Sequence, residues 1–291
     1  MSKLTIKKNP PFCEKEVRIL PEHFEEGIKF VLDNNCDGIF LDFRPESKNE
    51  GLIMDFNLFA QVPHLQSLLI SPFLELNAKQ PIEGLHALKQ LKTLRWQQKQ
   101  DFPIDFSNFP ELETLFYKFS KKATNLNGLQ ALKKLEIAGL NTDDCSPISE
   151  LRNLESLNCI QGKFTSLNGL QSLNKLNLLE LRSLKNLTDI SAIAALSNLE
   201  KLIFEKTAVA DYSPLQQATS LKFLVLDKAS SIDFVKEMPQ LKYVGFAEVT
   251  DGNLNPLLEL PALESVNFYP HKKHYTHTEK QINEILKSKV H

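Results

Sequence analysis

A fixed spacing of apolar positions runs through most of this chain. An apolar residue is followed by two variable positions, a second apolar residue, one variable position and a third apolar residue. Successive patterns start between 20 and 26 residues apart. Self-similarity at this period is typical of stacked repeats, in which each unit contacts only its neighbours. Ten patterns begin at Leu65, Leu91, Leu112, Leu132, Leu154, Leu176, Leu199, Leu221, Leu241 and Leu263.

Each pattern predicts one short strand, because alternation with a period of two places its leucines on one face and the intervening residues on the other. The segments between strands are rich in Asn, Asp, Ser, Gly and Pro and have room for about two helical turns. We therefore predict one short helix of the tighter 3-10 type in each return segment, with Pro147 and Pro214 at helix starts. Strands pack about 4.8 Å apart and full helices about 8 to 10 Å, so slim return segments predict a shallow arc.

The predicted fold class is α/β: a solenoid with a parallel sheet of about 11 strands on its concave face, the first strand at 38–43. Residues 1–50 are expected to form an N-terminal cap and this first strand, residues 51–270 the repeats, and residues 271–291 a C-terminal capping helix. Caps are needed because a terminal repeat otherwise exposes its core and a strand edge. The expected cap helices are 21–35, with an apolar stripe of Phe24, Ile28, Val31 and Leu32, and 278–290, with a capping box at Thr278 and Gln281 and a stripe of Ile282, Ile285 and Leu286.

The residues of these units resemble those of leucine-rich repeat proteins. The segment LTDISAIAALSNLEKLIF at 187–204 is similar to the 22-residue unit of internalins and of phosphatase-regulating subunits of the same build. This resemblance covers residues 65–268 well. It implies an interaction scaffold that binds through the variable strand residues of its concave face, and it implies no enzyme activity.

One departure from the family concerns the turn after each strand. The family places Asn, Cys or Thr three positions after the last strand leucine, where the side chain bonds the backbone of the next turn. No asparagine ladder can form in this chain, so the turn amides must bond to other groups or to water. The equivalent positions are Phe73, Lys99, Ser120, Leu140, Gly162, Leu184, Thr207, Ala229, Val249 and His271.

Composition and charge argue against nucleic-acid and membrane partners and against secretion. The chain has 34 basic and 36 acidic side chains and a formal charge of -2, spread along its length, so we expect no nucleic-acid ligand. It has neither the apolar run of a secretion signal nor a stretch of about 20 apolar residues, so we expect a cytoplasmic protein without a membrane partner. The four cysteines are expected to stay reduced; a bridge between Cys13 and Cys36 is the pair to test in an exported chain.

The outward-pointing strand residues form three predicted rows across the concave face. At the first strand these rows are expected to start at Phe40, Asp42 and Arg44, aligned with Ser67, Leu69 and Ser71 of the next. In the C-terminal half the rows carry apolar and aromatic residues, which usually mark a contact site. The predicted partner-binding surface has an apolar centre of Leu178, Ile203, Phe223, Val225 and Tyr243 and a polar rim of Glu180, Arg182, Lys201, Glu205 and Asp227.

Two further clusters carry candidate chemistry. A mixed basic and aromatic cluster could bind an acidic partner segment, or it could be ordinary surface. Three histidines recur every third residue in HKKHYTH, a composition that can hold zinc or nickel, but the segment is expected to be a polar loop without metal. The basic and aromatic cluster is Arg95, Phe116, Lys118 and Phe119, and the histidines are His271, His274 and His277.

The sequence contains no phosphate-binding glycine loop, nucleophile elbow or metalloprotease histidine pair, and we expect no cofactor and no catalysis. The opening LPEHFEEGIKFVL is similar to the start of an F-box, but too few residues follow it for the remaining helices. We therefore predict a monomeric, non-catalytic scaffold that binds a protein partner as an inhibitor, an immunity-type protein or a regulator. The alternative is a structural protein that self-associates through the apolar surface.

Overall fold

The computed structural model describes residues 4–43, 52–99 and 102–289. The chain divides into two compact units, an N-terminal unit of residues Met1–Ala138 and a C-terminal unit of residues Gly139–His291. All ten predicted repeat strands are present, and each return segment between consecutive repeat strands carries a short helix, which is of the 3-10 type in every case except the last. The inward leucines of the repeats are buried, and burying a leucine side chain fully stabilises a fold by about 2 kcal/mol.

The N-terminal unit is a sheet whose strands follow one another in chain order, with one helix of ten residues before the repeats. Its strands are β1 (Ile6–Lys8), β2 (Lys15–Ile19), β3 (Gly38–Leu41), β4 (Ser67–Ile70), β5 (Thr93–Trp96), β6 (Thr114–Lys118) and β7 (Lys134–Ala138). Its helices are α1 (Phe24–Asp33) and the 3-10 helices Pro21–His23, Phe56–Gln61, Glu83–Ala87, Phe106–Asn108 and Leu126–Gly128.

Strands β1 and β2 were not predicted, so the described residues contain thirteen strands rather than about 11. β2 pairs parallel to β3, and β1 returns antiparallel on β2. The sequence gives little sign of β1, because it has three residues and only one of them, Ile6, is apolar. The N-terminal edge of the sheet is therefore formed by the hairpin of β1 and β2, and the predicted helix α1 follows this hairpin in the chain.

The predicted alignment of the first repeat-like strand, β3, with β4 was wrong by two residues. Gly38, not Phe40, pairs with Ser67, and Phe40 pairs with Leu69. Asp42 therefore falls beyond the paired residues of β3, where it binds the Arg18 side chain, and Arg44 lies outside the described residues. A glycine leaves no side chain to show which row it belongs to, so the larger Phe40 was assigned to that place.

Helix α1 packs on the first return segment through aromatic rings. The ring of Phe24 lies 5.5 Å from both Phe56 and Phe59, and those two rings are 5.2 Å apart. Phe24, Ile28 and Val31 are buried as predicted. Leu32 is 47% exposed, so the stripe is one residue narrower than expected.

The C-terminal unit repeats the same arrangement and ends with a helix. Its strands are β8 (Ser156–Ile160), β9 (Leu178–Arg182), β10 (Lys201–Glu205), β11 (Phe223–Ala229), β12 (Tyr243–Val249) and β13 (Ser265–Phe268), all parallel to their neighbours within the unit. Its helices are α2 (Asn255–Glu259), α3 (Glu279–Lys289) and the 3-10 helices Ser146–Ile148, Leu170–Ser172, Ser191–Ala195, Ser213–Gln217 and Asp233–Glu237.

The turn amides that lack an asparagine ladder bond to the backbone of the next repeat. Gln161 and Ser183 follow their strands with left-handed backbone, at φ of 56° and 55°. Their N–H groups donate to the carbonyls of Arg182 and Glu205, at 3.0 and 2.7 Å. A left-handed residue other than glycine costs about 1 kcal/mol, which these bonds and the packing of the buried Leu184 offset.

Helix α3 covers the free edge of the last strand, β13. Thr278 and Gln281 form the predicted capping box: the Gln281 N–H donates to Thr278 Oγ1 at 3.2 Å, and the Thr278 N–H donates to Gln281 Oε1 at 2.8 Å. The Asn283 amide then bonds Val266 as a neighbouring strand would, accepting from its N–H at 2.9 Å and donating to its carbonyl at 3.1 Å. Glu279 Oε2 also accepts from the Phe268 N–H at 3.3 Å, so two side chains of α3 bond the exposed strand edge.

Candidate functional site

Two stacked aromatic rings stand on the concave face of the C-terminal unit. Phe223 of β11 and Tyr243 of β12 are directly paired in the sheet. Their ring centroids are 4.3 Å apart and their planes differ by 8°. Both side chains are half-buried, so the pair forms a flat aromatic surface beside solvent, which we call the aromatic shelf. Rings held in this way lose little conformational freedom when a partner binds.

The neighbours of the aromatic shelf fix both rings. The Nζ of Lys201, one strand back, lies 4.9 Å from the centroid of Phe223, a cation–π contact on the ring's other side. A Cβ on Gly245 would lie 3.3 Å from the Tyr243 ring, so this ring leans over a backbone without a side chain. Ser265 follows in the same row and carries no ring to continue the stack. The stack therefore runs from a cation through two rings and ends at Tyr243.

The polar rim beside the shelf is largely paired within itself. The Arg182 guanidinium bonds the Glu180 carboxylate at 2.8 Å and lies 3.5 Å from the Glu205 carboxylate. The Glu180 side chain is only 16% exposed, whereas that of Glu205 is 47% exposed. Ile203 lies between these charges and the shelf and is half-buried, as are Leu178 and Val225 of the predicted apolar centre.

Asp227, predicted as part of the rim, binds the backbone of the preceding turn. Its carboxylate accepts from the N–H groups of Lys206 and Thr207, at 2.8 and 2.7 Å, and from Thr207 Oγ1 at 2.9 Å. In the two preceding turns the acceptors are backbone carbonyls instead: Arg182 accepts from the Gln161 N–H, and Glu205 accepts from the Ser183 N–H. These three bonds use the oxygens that a partner would contact, so the geometry favours a structural role for Asp227.

The second predicted cluster lies in the N-terminal unit and is partly covered by the chain itself. The Arg95 guanidinium carbon lies 4.8 Å from the centre of the Phe116 ring. Phe12, from the turn between β1 and β2, approaches the same ring edge-to-face, with centroids 5.9 Å apart. Lys118 donates from Nζ to the Lys99 carbonyl at 3.1 Å. Phe119, directly after β6, is half-buried.

The turn from Asn9 to Glu14 lies over the first outward row of the N-terminal unit. The Sγ of Cys13 is 2.2 Å from where a Cβ of Gly38 would lie, on the outward side of β3. Ser67 and Thr93, the next residues of this row, are buried, with exposures of 0% and 4%. These residues lie in the outward row, as predicted, but in the N-terminal unit they are buried.

Comparison with solved structures places this arrangement among known folds. An internalin, InlF from Listeria monocytogenes, superposes with a TM-score of 0.69, at 20% identity, over 87% of this chain and 73% of that one. The functional domain of InlJ from Listeria monocytogenes, which includes a cysteine ladder, gives a TM-score of 0.53 at 18% identity, over 85% of this chain and 55% of that one. The chain has a leucine-rich repeat fold. No family model and no curated protein matches its sequence.

In this leucine-rich repeat fold, the residues between the strand leucines point outward on the sheet's face, as predicted from the sequence. Phe223, Val225, Ile203 and Tyr243 are therefore brought together as expected, on adjacent strands of one unit. Phe12 was missed, since nothing in the local sequence links the turn before β2 to a repeat more than 100 residues later. The assignment to the 22-residue subclass stays a prediction.

Two of the three histidines after β13 pack against one buried tyrosine of the leucine-rich repeat fold. The rings of His271 and His274 meet Tyr275 edge-on, at 5.9 and 5.0 Å between centroids. His277 bonds Thr276 through Nδ1 at 3.1 Å. Across residues 4–43, 52–99 and 102–289, no three His, Cys, Asp or Glu side chains are grouped so that they could hold a metal.

The cysteines are free thiols, and burial suppresses their ionisation. Burial, assisted by the nearby Asp37 carboxylate, raises the pKa of Cys13 to about 12. Burial raises the pKa of Cys159 to about 12 and that of Cys145 well above its ordinary value. A thiol is nucleophilic as the thiolate, so these residues are unreactive near neutral pH. Among the helices described, none is long and apolar enough to cross a bilayer.

Proposed function

We propose that the protein is a non-catalytic scaffold that binds a protein partner through the concave face of its C-terminal unit. The aromatic shelf carries this proposal, because two stacked, half-exposed rings beside a paired charge network have the composition of an interface anchor. The binding residues are Phe223 and Tyr243 as anchors, with Leu178, Ile203 and Val225 around them and Glu180, Arg182, Lys201 and Glu205 as the charged surroundings, while Asp227 supports the turn beside them.

The surroundings of the shelf favour a protein over other ligands. Lys201 and Arg182 are each beside a ring or a carboxylate, and the formal charge of the chain is -2, so a polyanion gains little here. The paired charges fix the register of a partner and exclude others by like-charge contacts, more than they add affinity. We propose binding without a cofactor, a metal or catalysis.

The role within this class is proposed as that of an inhibitor, an immunity-type protein or a regulator, acting as a monomer in the cytoplasm. Free cysteines with suppressed ionisation are compatible with a reducing compartment. A partner enzyme whose activity falls with stoichiometric binding would identify an inhibitor. An unchanged partner activity would identify an adaptor.

Self-association is the second candidate, and the flat open end of the ring stack favours it. A second copy could place its own rings against Tyr243, because offset stacking of aromatic pairs is favourable. Light scattering over a range of concentrations decides between the two. A mass that rises with concentration in the wild type, and stays monomeric when the shelf is changed, would support self-association.

The direct test places two charges on the shelf. Phe223→Glu with Tyr243→Glu should weaken partner capture from a lysate by about 100-fold or more, since each anchor of an interface contributes 2 kcal/mol or more. Gln216→Glu with Gln217→Glu is the matched control, because it adds the same two charges at exposed residues of the return segment. Equal capture by the folded shelf variant and the control would contradict the proposal.

A further inference from the structure

The concave face of the N-terminal unit already holds a ligand-like segment, the turn from Asn9 to Glu14. The turn closes on itself through the Asn9 N–H and the Glu14 carbonyl, 2.7 Å apart. The Asp37 carboxylate holds its base, accepting from the N–H groups of Glu14 and Lys15 at 3.0 and 2.7 Å. The tip of the turn is not part of any strand, and Pro11 at the tip is exposed.

A groove of small residues receives this turn. Gly38, Ser67, Thr93 and Thr114 occupy one row on four adjacent strands, where the equivalent row of the C-terminal unit has Leu178, Lys201, Phe223 and Tyr243. The first three of these small residues are buried. The space of the missing Gly38 side chain is thus filled by Cys13 of the turn.

One side chain of the turn, that of Phe12, meets the exposed end of this groove. Phe12 lies edge-to-face on Phe116, three strands beyond β3. Arg95 is the other contact of this ring, with its guanidinium carbon 4.8 Å from the Phe116 centroid. The turn therefore presents an aromatic ring to the pair formed by Phe116 and Arg95.

We infer that this face is a second docking surface, closed by the chain's own turn, and that it binds a partner segment presenting an aromatic side chain to Phe116 and Arg95. The turn tip can leave without breaking a strand, because the pairing of β2 with β3 begins at Glu16 and the base of the turn is held separately by Asp37. Arg95 and Phe116, which the turn covers, then become the contacts of the incoming segment.

The test uses the full chain and a peptide that copies the closing segment. The probe is a fluorescent peptide of residues 5–16 in which Cys13 is replaced by serine, and binding is measured by anisotropy. In the wild type the tethered turn competes at an effective concentration of about millimolar, so Phe12→Ala should tighten peptide binding by about tenfold or more. Adding Phe116→Ala should remove that gain.

Three controls keep the outcome decisive. A peptide that lacks the phenylalanine should bind the Phe12→Ala chain no more tightly than it binds the wild-type chain. Phe116→Leu, which keeps an apolar side chain, replaces Phe116→Ala if circular dichroism shows that the alanine variant is unfolded. Tyr243→Ala, on the other unit, should leave peptide binding unchanged. Equal peptide affinity of the wild type and the folded Phe12→Ala chain, or a gain that survives loss of the Phe116 ring, would overturn the inference.

Discussion

The first outward row of the sheet is closed in the N-terminal unit and open in the C-terminal unit. In the former it consists of small residues: Ser67 and Thr93 are buried, and the turn before β2 packs on Gly38 of the same row. In the latter it has large side chains, and Phe223 and Tyr243 support each other as a stack. The same repeat pattern thus gives one face that binds its own chain and one that is available to others. The inward leucines decide the fold, and the residues between them decide which face is free.

The largest expected effect comes from adding a side chain under the covering turn. A Cβ on Gly38 would lie 2.2 Å from Cys13 Sγ and 3.4 Å from the Glu16 Cα. Gly38→Val should therefore lower the free energy of unfolding by about 3 kcal/mol, as overpacking does, or displace the turn. Gly128→Ala is the control, because nothing lies within 4 Å of its new Cβ, and it should be neutral or slightly stabilising. Equal denaturation midpoints would show that the turn does not pack on Gly38.

In each unit a carboxylate bonds the backbone of a turn, and replacing it should affect the two faces differently. Asp37→Ala and Asp227→Ala each leave two backbone N–H groups without their charged acceptor, so each should lower the free energy of unfolding by about 2 kcal/mol. Asp37→Ala should in addition expose Ser67, and Asp227→Ala should not. Alanine at the exposed Asp143 is the control and should change stability by less than about 0.5 kcal/mol. Denaturant titration measures the free energy of unfolding of all three variants. If Asp227→Ala lowers it no more than the Asp143 control does, Asp227 would be assigned to the binding rim instead.

The smallest expected effect is a pH dependence of opposite sign in the two units. Burial raises the pKa of Glu16 above its ordinary 4.5, against the opposing effect of Lys7 and Arg95. The folded chain therefore binds this proton more tightly than the unfolded chain, and stability falls as pH rises from about 4.5 through the folded pKa. Glu16→Gln should thus stabilise the protein at pH 7 by a few tenths of a kcal/mol, since the site is partly exposed, and should have no effect at pH 4.

Asp189 of the C-terminal unit supplies the contrasting case. Hydrogen bonds from the Ser191 N–H and hydroxyl and from the Ser166 hydroxyl lower its pKa below 3.8. Its contribution is therefore present above the unfolded pKa and is lost as pH falls through the lower folded pKa. Asp189→Asn should destabilise at pH 7, and the difference from the wild type should shrink below pH 3.8. Melts of both variants across this range check the signs, and parallel curves for Glu16→Gln and Asp189→Asn would contradict the assignment.

The sequence predicts the repeat strands well because each is defined locally. An apolar pattern of six residues determines the inward face, and stacking of equal units then aligns the outward rows, including the pairing of Phe223 with Tyr243. The capping box at Thr278 is equally local and was confirmed. The free edge that Asn283 covers could not be predicted, since it depends on how α3 meets β13.

The closed face could not be predicted, because it depends on contacts between distant segments. Phe12 and Phe116 are brought together by the hairpin that β1 and β2 form, and β1 has no periodic signal. The run of small residues from Gly38 to Thr114 is the one sequence feature that indicates a covered groove. The hydrogen bonds of Asp227 could not be predicted for a similar reason, because its partners belong to the turn of the preceding repeat.

The difference between the two faces is tested most directly by labelling cysteines placed at two equivalent serine positions. Ser67 and Ser156 occupy the same place in their repeats, and the first is buried whereas the second is half-exposed. Each is replaced by cysteine in a Cys13→Ser chain, whose other three cysteines are buried, and maleimide labelling is followed by mass spectrometry. Ser67→Cys should react about tenfold or more slowly than Ser156→Cys, because it must wait for the turn to open. Equal labelling rates in folded protein would contradict a closed N-terminal face.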